Sequence, residues 1–135
     1  LFFAYRTSRF QREKDPAIVT QVNLQLVPDQ KVAILEKMND LQDQRRIKQP
    51  LEFPSAGSTF KRPPDHYVGP LIEQAGLKGL RIGGAEVSTK HAGFIIKTGE
   101  ATAQDFLELI QKIQEVILEK FQVALEPEIR ILGES

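Results

Sequence analysis

The sequence has no cysteine, no tryptophan, one methionine and two histidines. Without cysteine there are no disulfides, thiolate zinc sites, iron-sulfur clusters or cysteine nucleophiles. Long apolar runs are also missing, and none approaches the roughly 20 residues that a membrane helix needs. Net charge is missing too, with 18 Lys and Arg against 18 Asp and Glu. A domain that grips a nucleic-acid backbone carries a broad basic stripe and a high pI, whereas the sequence pI here is about 7.0. No initiator Met is present, and Leu1 to Tyr5 is too short for a signal peptide. The expectation is a piece of a longer chain, and 135 residues suffice for one soluble domain with its own core.

The charge that is there is partitioned. Residues 45–90 carry eight basic and four acidic side chains, and residues 91–135 carry four basic and eight acidic. A local excess of this size suits a small anionic ligand better than a polyanion.

Alternation of Ile18, Thr20, Val22, Leu24 and Leu26 with Val19, Gln21, Asn23 and Gln25 predicts a strand with one buried face. Val32, Leu35, Met38 and Leu41, spaced by three, predict an amphipathic helix over 29–46. Its last turn holds Arg45 and Arg46, where cations complement the helix dipole. Five of the eight prolines then fall between Pro50 and Pro70 and seven of the nine glycines between Gly69 and Gly99. Long elements are excluded there, leaving a short helix at 71–75 and short strands at 85–88 and 93–97. Thr102 with Asp105 resembles a capping box. Behind it Phe106, Leu109, Ile110, Ile113, Val116, Ile117 and Phe121 trace the stripe of a helix over 103–121. Leu125, Pro127, Ile129 and Ile131 alternate with Glu126, Glu128 and Arg130, which predicts a last strand, at an edge because of Pro127. The order of elements predicts an α+β fold, a small sheet with helices packed on it.

Among candidate chemistries, Gly76 to Gly84 does not fit the spacing of a dinucleotide or phosphate loop and reads as turns. His66 and His91 have no cysteine to join them in a zinc site. Ser55-Ala-Gly-Ser58-Thr-Phe-Lys61-Arg62 sets small residues before a hydroxyl and two cations after it. Small residues let a second molecule approach the backbone. Taken alone, the same segment also reads as a turn with surface cations, and Glu128 with Arg130 as a surface ion pair.

Four blocks together carry a resemblance. They are Phe3-Ala-Tyr-Arg-Thr-Ser-Arg-Phe10, Pro54-Ser-Ala-Gly-Ser-Thr-Phe-Lys-Arg-Pro63, Gly76 to Ser88 running into His91-Ala-Gly-Phe-Ile95, and Leu125-Glu-Pro-Glu-Ile-Arg-Ile-Leu-Gly-Glu134. In this order they resemble the C-terminal part of the MurB family, the UDP-N-acetylenolpyruvoylglucosamine reductases, over essentially the whole chain. The resemblance implies that residues 1–27 are the tail of the FAD-binding domain and residues 28–135 the substrate-binding domain of the MurB C-terminal type. It implies a cytoplasmic bacterial flavoenzyme that reduces UDP-N-acetylglucosamine enolpyruvate to UDP-N-acetylmuramate in peptidoglycan precursor synthesis. FAD and NADPH would be bound mostly by the preceding FAD-binding domain, the expected partner, with no nucleic acid or membrane involved. A chain without that domain is expected to be inactive.

The resemblance also implies roles. Ser58 matches the serine that protonates the carbon next to the substrate carboxylate, and Arg6 and Glu128 match the residues around that carboxylate. Arg45, Lys48 and Arg130 match positions used around the diphosphate or carboxylate, and Lys61 follows the serine closely. Lys97 stands where many members have Asn, and Arg62 where the longer type of the family has a substrate-contacting Asn. The alternative is a nucleotide-sugar binding module without a catalytic role.

Overall fold

The computed structural model describes residues 3–12 and 17–133. The chain divides into two units, Leu1–Ile34 and Leu35–Ser135.

In the first unit, the backbones of Ala4 and Thr7 exchange two hydrogen bonds of 3.1 Å and close a tight turn. A single helical turn follows, α1 (Arg9–Arg12). The strand expected over 18–26 is not formed, and Ile18, Leu24 and Leu26 are each at least 80% exposed. A strand needs a ladder partner and a cover for its apolar face, and among the described residues this segment has neither.

Helix α2 (Lys31–Lys48) starts in the first unit and continues into the second. It forms where expected, shifted two residues onward, because Ala, Leu, Glu, Lys, Met, Gln and Arg dominate it. Asp29 accepts the amide of Gln30 at 2.7 Å just ahead of it. Its apolar row is not buried as an amphipathic helix would bury it, since Val32, Leu35, Met38 and Leu41 are all exposed. The helix rests on propensity and on pairs such as Gln44 with Asp40.

The second unit holds an antiparallel sheet of β1 (Ser55–Ser58), β2 (Arg81–Ile82), β3 (Ala85–Val87) and β4 (Phe94–Lys97), in the order β1-β4-β3-β2. Between them in the chain are α3 (Val68–Gln74) and, after β4, α4 (Ala103–Phe121). The stripe read on α4 is the core face, with Leu109, Ile110, Ile113 and Ile117 buried in one cluster with Ile72 of α3, Ala85, Val87, Ile95 and Phe60. Burying each large aliphatic contributes roughly 1.5–3 kcal/mol. The α+β class expected of the sequence is the class observed.

The capping box is made in full. Thr102 Oγ1 accepts the Asp105 amide at 3.2 Å, and Asp105 accepts the Thr102 amide at 2.9 Å. Asp105 also accepts the Gly84 amide at 3.2 Å, tying the β2–β3 turn to the start of α4. These donors, Thr102 first and Gly84 second, hold the Asp105 carboxyl below its ordinary pKa. The approach is close enough that a Cβ on Gly83 would lie 2.4 Å from the Asp105 carboxyl, and one on Gly84 would lie 2.5 Å from the Ala101 backbone nitrogen. Gly83 and Gly84 therefore serve close packing as well as the turn that the segment was expected to make.

The last strand is reduced to one bridge, Phe60 with Pro127. Lys61 N–H donates to Glu126 at 2.8 Å and Glu128 N–H to Thr59 at 2.8 Å. Pro127 has no N–H to extend the ladder, and beyond Glu128 the chain leaves the sheet. Conversely, the segment that taken alone also reads as a turn forms strand β1, because β4 supplies a partner for it.

Candidate functional site

Ser58 ends β1, which is an edge strand of the sheet. Gly57 has φ +87°, a left-handed conformation that favours glycine, and the register with β4 shifts between Ser55 and Ser58. This irregularity delivers Ser58 exposed, opposite Phe94. The next residue fixes it: Thr59 is buried, its amide donates to Gly93 at 2.9 Å, and its hydroxyl oxygen accepts the Ile95 amide at 3.3 Å. Thr59 also accepts the Glu128 amide, so Ser58 and Glu128 are brought to adjacent strands of backbone.

Beside Ser58 is a neighbour that sequence reading did not single out for this role. His91 Nδ1 accepts the Gly93 amide at 3.1 Å, which leaves Nε2 as the protonated nitrogen of the neutral ring, and the ring packs edge-on to Phe94 with centroids 4.9 Å apart. A methyl group on Gly93 would sit 3.1 Å from the His91 ring and 3.9 Å from Ser58 Oγ. The turn carrying His91 is organised by Ser88, buried, whose Oγ accepts the amides of Lys90 and His91, each at 3.2 Å. The histidine-to-glycine spacing was in the sequence, but its relation to Ser58 was not.

Lys61 Nζ is paired with Glu126, so an anionic ligand would compete with a carboxylate for it. Arg62 stacks on Tyr67 with its guanidinium carbon 3.9 Å from the ring centre, and donates to the His66 carbonyl at 3.3 Å. Arg130 is exposed two residues beyond Glu128. Arg45 and Lys48 lie exposed in the last turn of α2, where Arg45 Nε donates to Gln49 at 3.1 Å. The connector from α2 to β1 is held in its second half by two contacts. Lys97 N–H donates to Pro54 at 2.8 Å, and Lys90 pairs with Glu52 at 3.2 Å. The Glu52 carboxyl is held below its ordinary pKa by its own backbone amide first and by Lys90 second.

Arg6 belongs to the first unit. It occupies the Ala4–Thr7 turn with φ +54°, its guanidinium carbon 5.9 Å from the Tyr5 ring centre. Among the described residues no group of three His, Cys, Asp or Glu could hold a metal, and no helix is long and apolar enough to cross a membrane.

The order of these blocks on this sheet is matched elsewhere. The family described as "UDP-N-acetylenolpyruvoylglucosamine reductase, C-terminal domain" matches residues 49–132. The chain belongs to this family. The UDP-N-acetylenolpyruvoylglucosamine reductase of Levilactobacillus brevis is 56% identical over 135 residues, covering 100% of this chain and 44% of that protein. That of Caldanaerobacter subterraneus subsp. tengcongensis is 54% identical over 133 residues, 98% of this chain and 43% of that protein. The crystal structure of UDP-N-acetylenolpyruvylglucosamine reductase (MurB) from Thermus caldophilus superposes with a TM-score of 0.66 at 36% identity, over 81% of this chain and 38% of that one. The chain thus spans less than half the length of the reductases it matches, and it is the C-terminal domain of the family that it contains.

Proposed function

We propose that this chain is the substrate-binding part of a cytoplasmic UDP-N-acetylenolpyruvoylglucosamine reductase, with residues 1–27 ending its FAD-binding domain and residues 28–135 forming the substrate domain. The observation that carries the reading is the placement of Ser58, exposed at a kinked strand end, beside the backbone of Glu128. Names and identities of the relatives support it over the full chain.

Reduction of the enolpyruvyl group of UDP-N-acetylglucosamine enolpyruvate needs a hydride, which no described residue supplies. The glycine-rich segment offers no dinucleotide cradle, because Gly83 and Gly84 are closed against Asp105 and Ala101. FAD and NADPH are accordingly assigned mostly to the FAD-binding domain, whose tail is residues 1–27 of this chain. The residues here act on the substrate itself. Ser58 gives its hydroxyl proton to the carbon next to the carboxylate, a transfer that positioned side chains accelerate by roughly 10²–10⁴. Arg6 offers a forked pair of donors to the carboxylate as charge moves onto it, and Glu128 shares a proton with the same oxygens. Arg45, Lys48, Lys61 and Arg130 hold the diphosphate or carboxylate through charge-assisted hydrogen bonds. The product, UDP-N-acetylmuramate, serves peptidoglycan synthesis and so cell shape and division.

The test is Ser58→Ala in the full-length protein. Turnover of the enolpyruvate substrate should fall by roughly 10² or more while reduction of the flavin by NADPH is unchanged. Unchanged turnover would leave the nucleotide-sugar binding module as the better reading. The 135-residue chain by itself should show no NADPH consumption.

A further inference from the structure

A cavity of about 480 Å³ in the second unit lies between β1, the start of α4 and the C-terminal segment. Phe106 and Leu107 of α4, with Ile131 and Leu132, give it apolar walls, and its charged lining residues are Lys97 and Arg130. Among the described residues, no acidic side chain lines it. Neither cation has a side-chain ion pair or hydrogen bond among the described residues, whereas Lys61, Lys78, Arg81 and Lys90 are each paired. Leu132 and Ile131 are 89% and 66% exposed, so the apolar rim faces solvent.

Two cations without a counter-charge among the described residues, set in an apolar groove, match a ligand with the opposite layout: one anionic end and an apolar body. The volume falls within the usual range for small-molecule sites, roughly 300–1,000 Å³. We propose that this groove binds an amphipathic carboxylate, an aliphatic chain whose carboxylate meets Lys97 and Arg130 and whose body covers Phe106, Leu107 and Ile131. The charged end supplies charge-assisted hydrogen bonds and the chain supplies apolar burial. Ser58 does not line the groove, so the inference stands apart from the proton-donor assignment. Lys97 has no role in that assignment. Arg130 is shared, and an occupant that takes it competes with the substrate's anion.

The test is a ¹H–¹⁵N NMR titration of the chain with decanoate below its micelle concentration, alongside decanol and decyltrimethylammonium. Saturable shifts confined to Lys97, Phe106, Leu107 and residues 129–132 are expected for decanoate alone, with affinity at least tenfold weaker in Lys97→Met and weaker again in Lys97→Met/Arg130→Met. Methionine keeps the length and apolar stem of lysine, so the fold is retained. Equal affinity for decanol, unchanged affinity in both variants, shifts spread over the whole chain, or binding only to vesicles of anionic phospholipid would each overturn the proposal. A parallel titration with UDP-N-acetylglucosamine enolpyruvate, read at Ser58, reports on the substrate site separately.

Discussion

Glu128 donates its backbone N–H to the carbonyl of Thr59 at 2.8 Å. One hydrogen bond thereby joins the segment of the proposed carboxylate partner to the residue that follows the proposed proton donor. Its geometry belongs to the backbone, while the chemistry assigned to Glu128 belongs to the side chain, and two substitutions separate them. Glu128→Gln keeps the N–H and should lower substrate turnover in the full-length protein while lowering the melting temperature less than loss of the N–H does. Glu128→Pro removes the donor and leaves the Thr59 carbonyl short of a partner, which should cost about 1–3 kcal/mol of stability by urea denaturation and lower turnover as well. A melting temperature that drops equally in both would show that the carboxylate is structural.

Gly93 keeps the space between Ser58 and His91 open. Adding a methyl group 3.1 Å from the His91 ring requires the ring to give way by a few tenths of an ångström. Gly93→Ala should cost about 1 kcal/mol in stability, weaken the His91–Gly93 hydrogen bond, and lower kcat in the full-length protein more than it raises KM. Unaltered His91 ¹⁵N chemical shifts in the variant would refute the displacement.

Two other glycines should respond differently to alanine. At Gly84 the obstacle is backbone, the Ala101 nitrogen at 2.5 Å, and the start of α4 must move. At Gly76, with φ +76°, the surroundings are open and only backbone strain opposes the change. Gly84→Ala should cost about 3 kcal/mol and Gly76→Ala roughly 1–2 kcal/mol, measured side by side by chemical denaturation.

Asp105 links stability to pH. Its pKa is lowered in the fold by the amides of Thr102 and Gly84. The unfolded chain therefore binds this proton at higher pH than the folded one. The stabilisation is present above the unfolded value, about 3.9, and is lost as pH falls through the lower folded value. Thermal melts should show a falling midpoint below about pH 4. In Asp105→Asn the midpoint should be lower at pH 7 and should change less on acidification. A parallel fall in both proteins would assign the acid sensitivity to other carboxylates.

Residues 18–26 carry an alternating apolar face that the described residues leave exposed. If this segment ends the FAD-binding domain, its alternate amides should exchange freely with solvent in the 135-residue chain and become protected in the full-length protein. Hydrogen exchange resolved by mass spectrometry measures both.

Those residues also mark the boundary between what is local and what is not. Helix α4 was readable from Thr102 to Phe121 because its cap, its stripe and its composition lie within one stretch of chain, and helix hydrogen bonds close between neighbours four apart. β3 and β4 were readable as short apolar runs between glycines. The strand at 18–26 had an equally clear alternation and is absent, and β1, Ser-Ala-Gly-Ser, had none and is a strand. A ladder bond is made with a distant segment, so alternation expresses readiness to pair and the partner decides.

The candidate site divides in the same way. Composition and pattern alone determined an α+β domain with a secure long helix, glycines serving turns, a basic middle and the residue types of an anion site. The four motif blocks supplied the family. Only the tertiary structure decided that Ser58 stands at a kinked edge, that Glu128 adjoins it from across 70 residues of chain, that Lys61 is engaged by Glu126, and that His91 flanks the serine through Gly93. The physical reason is range. Propensity, capping and turn chemistry act over a few residues, whereas sheet pairing, burial and the meeting of charges depend on which far segment the core brings alongside.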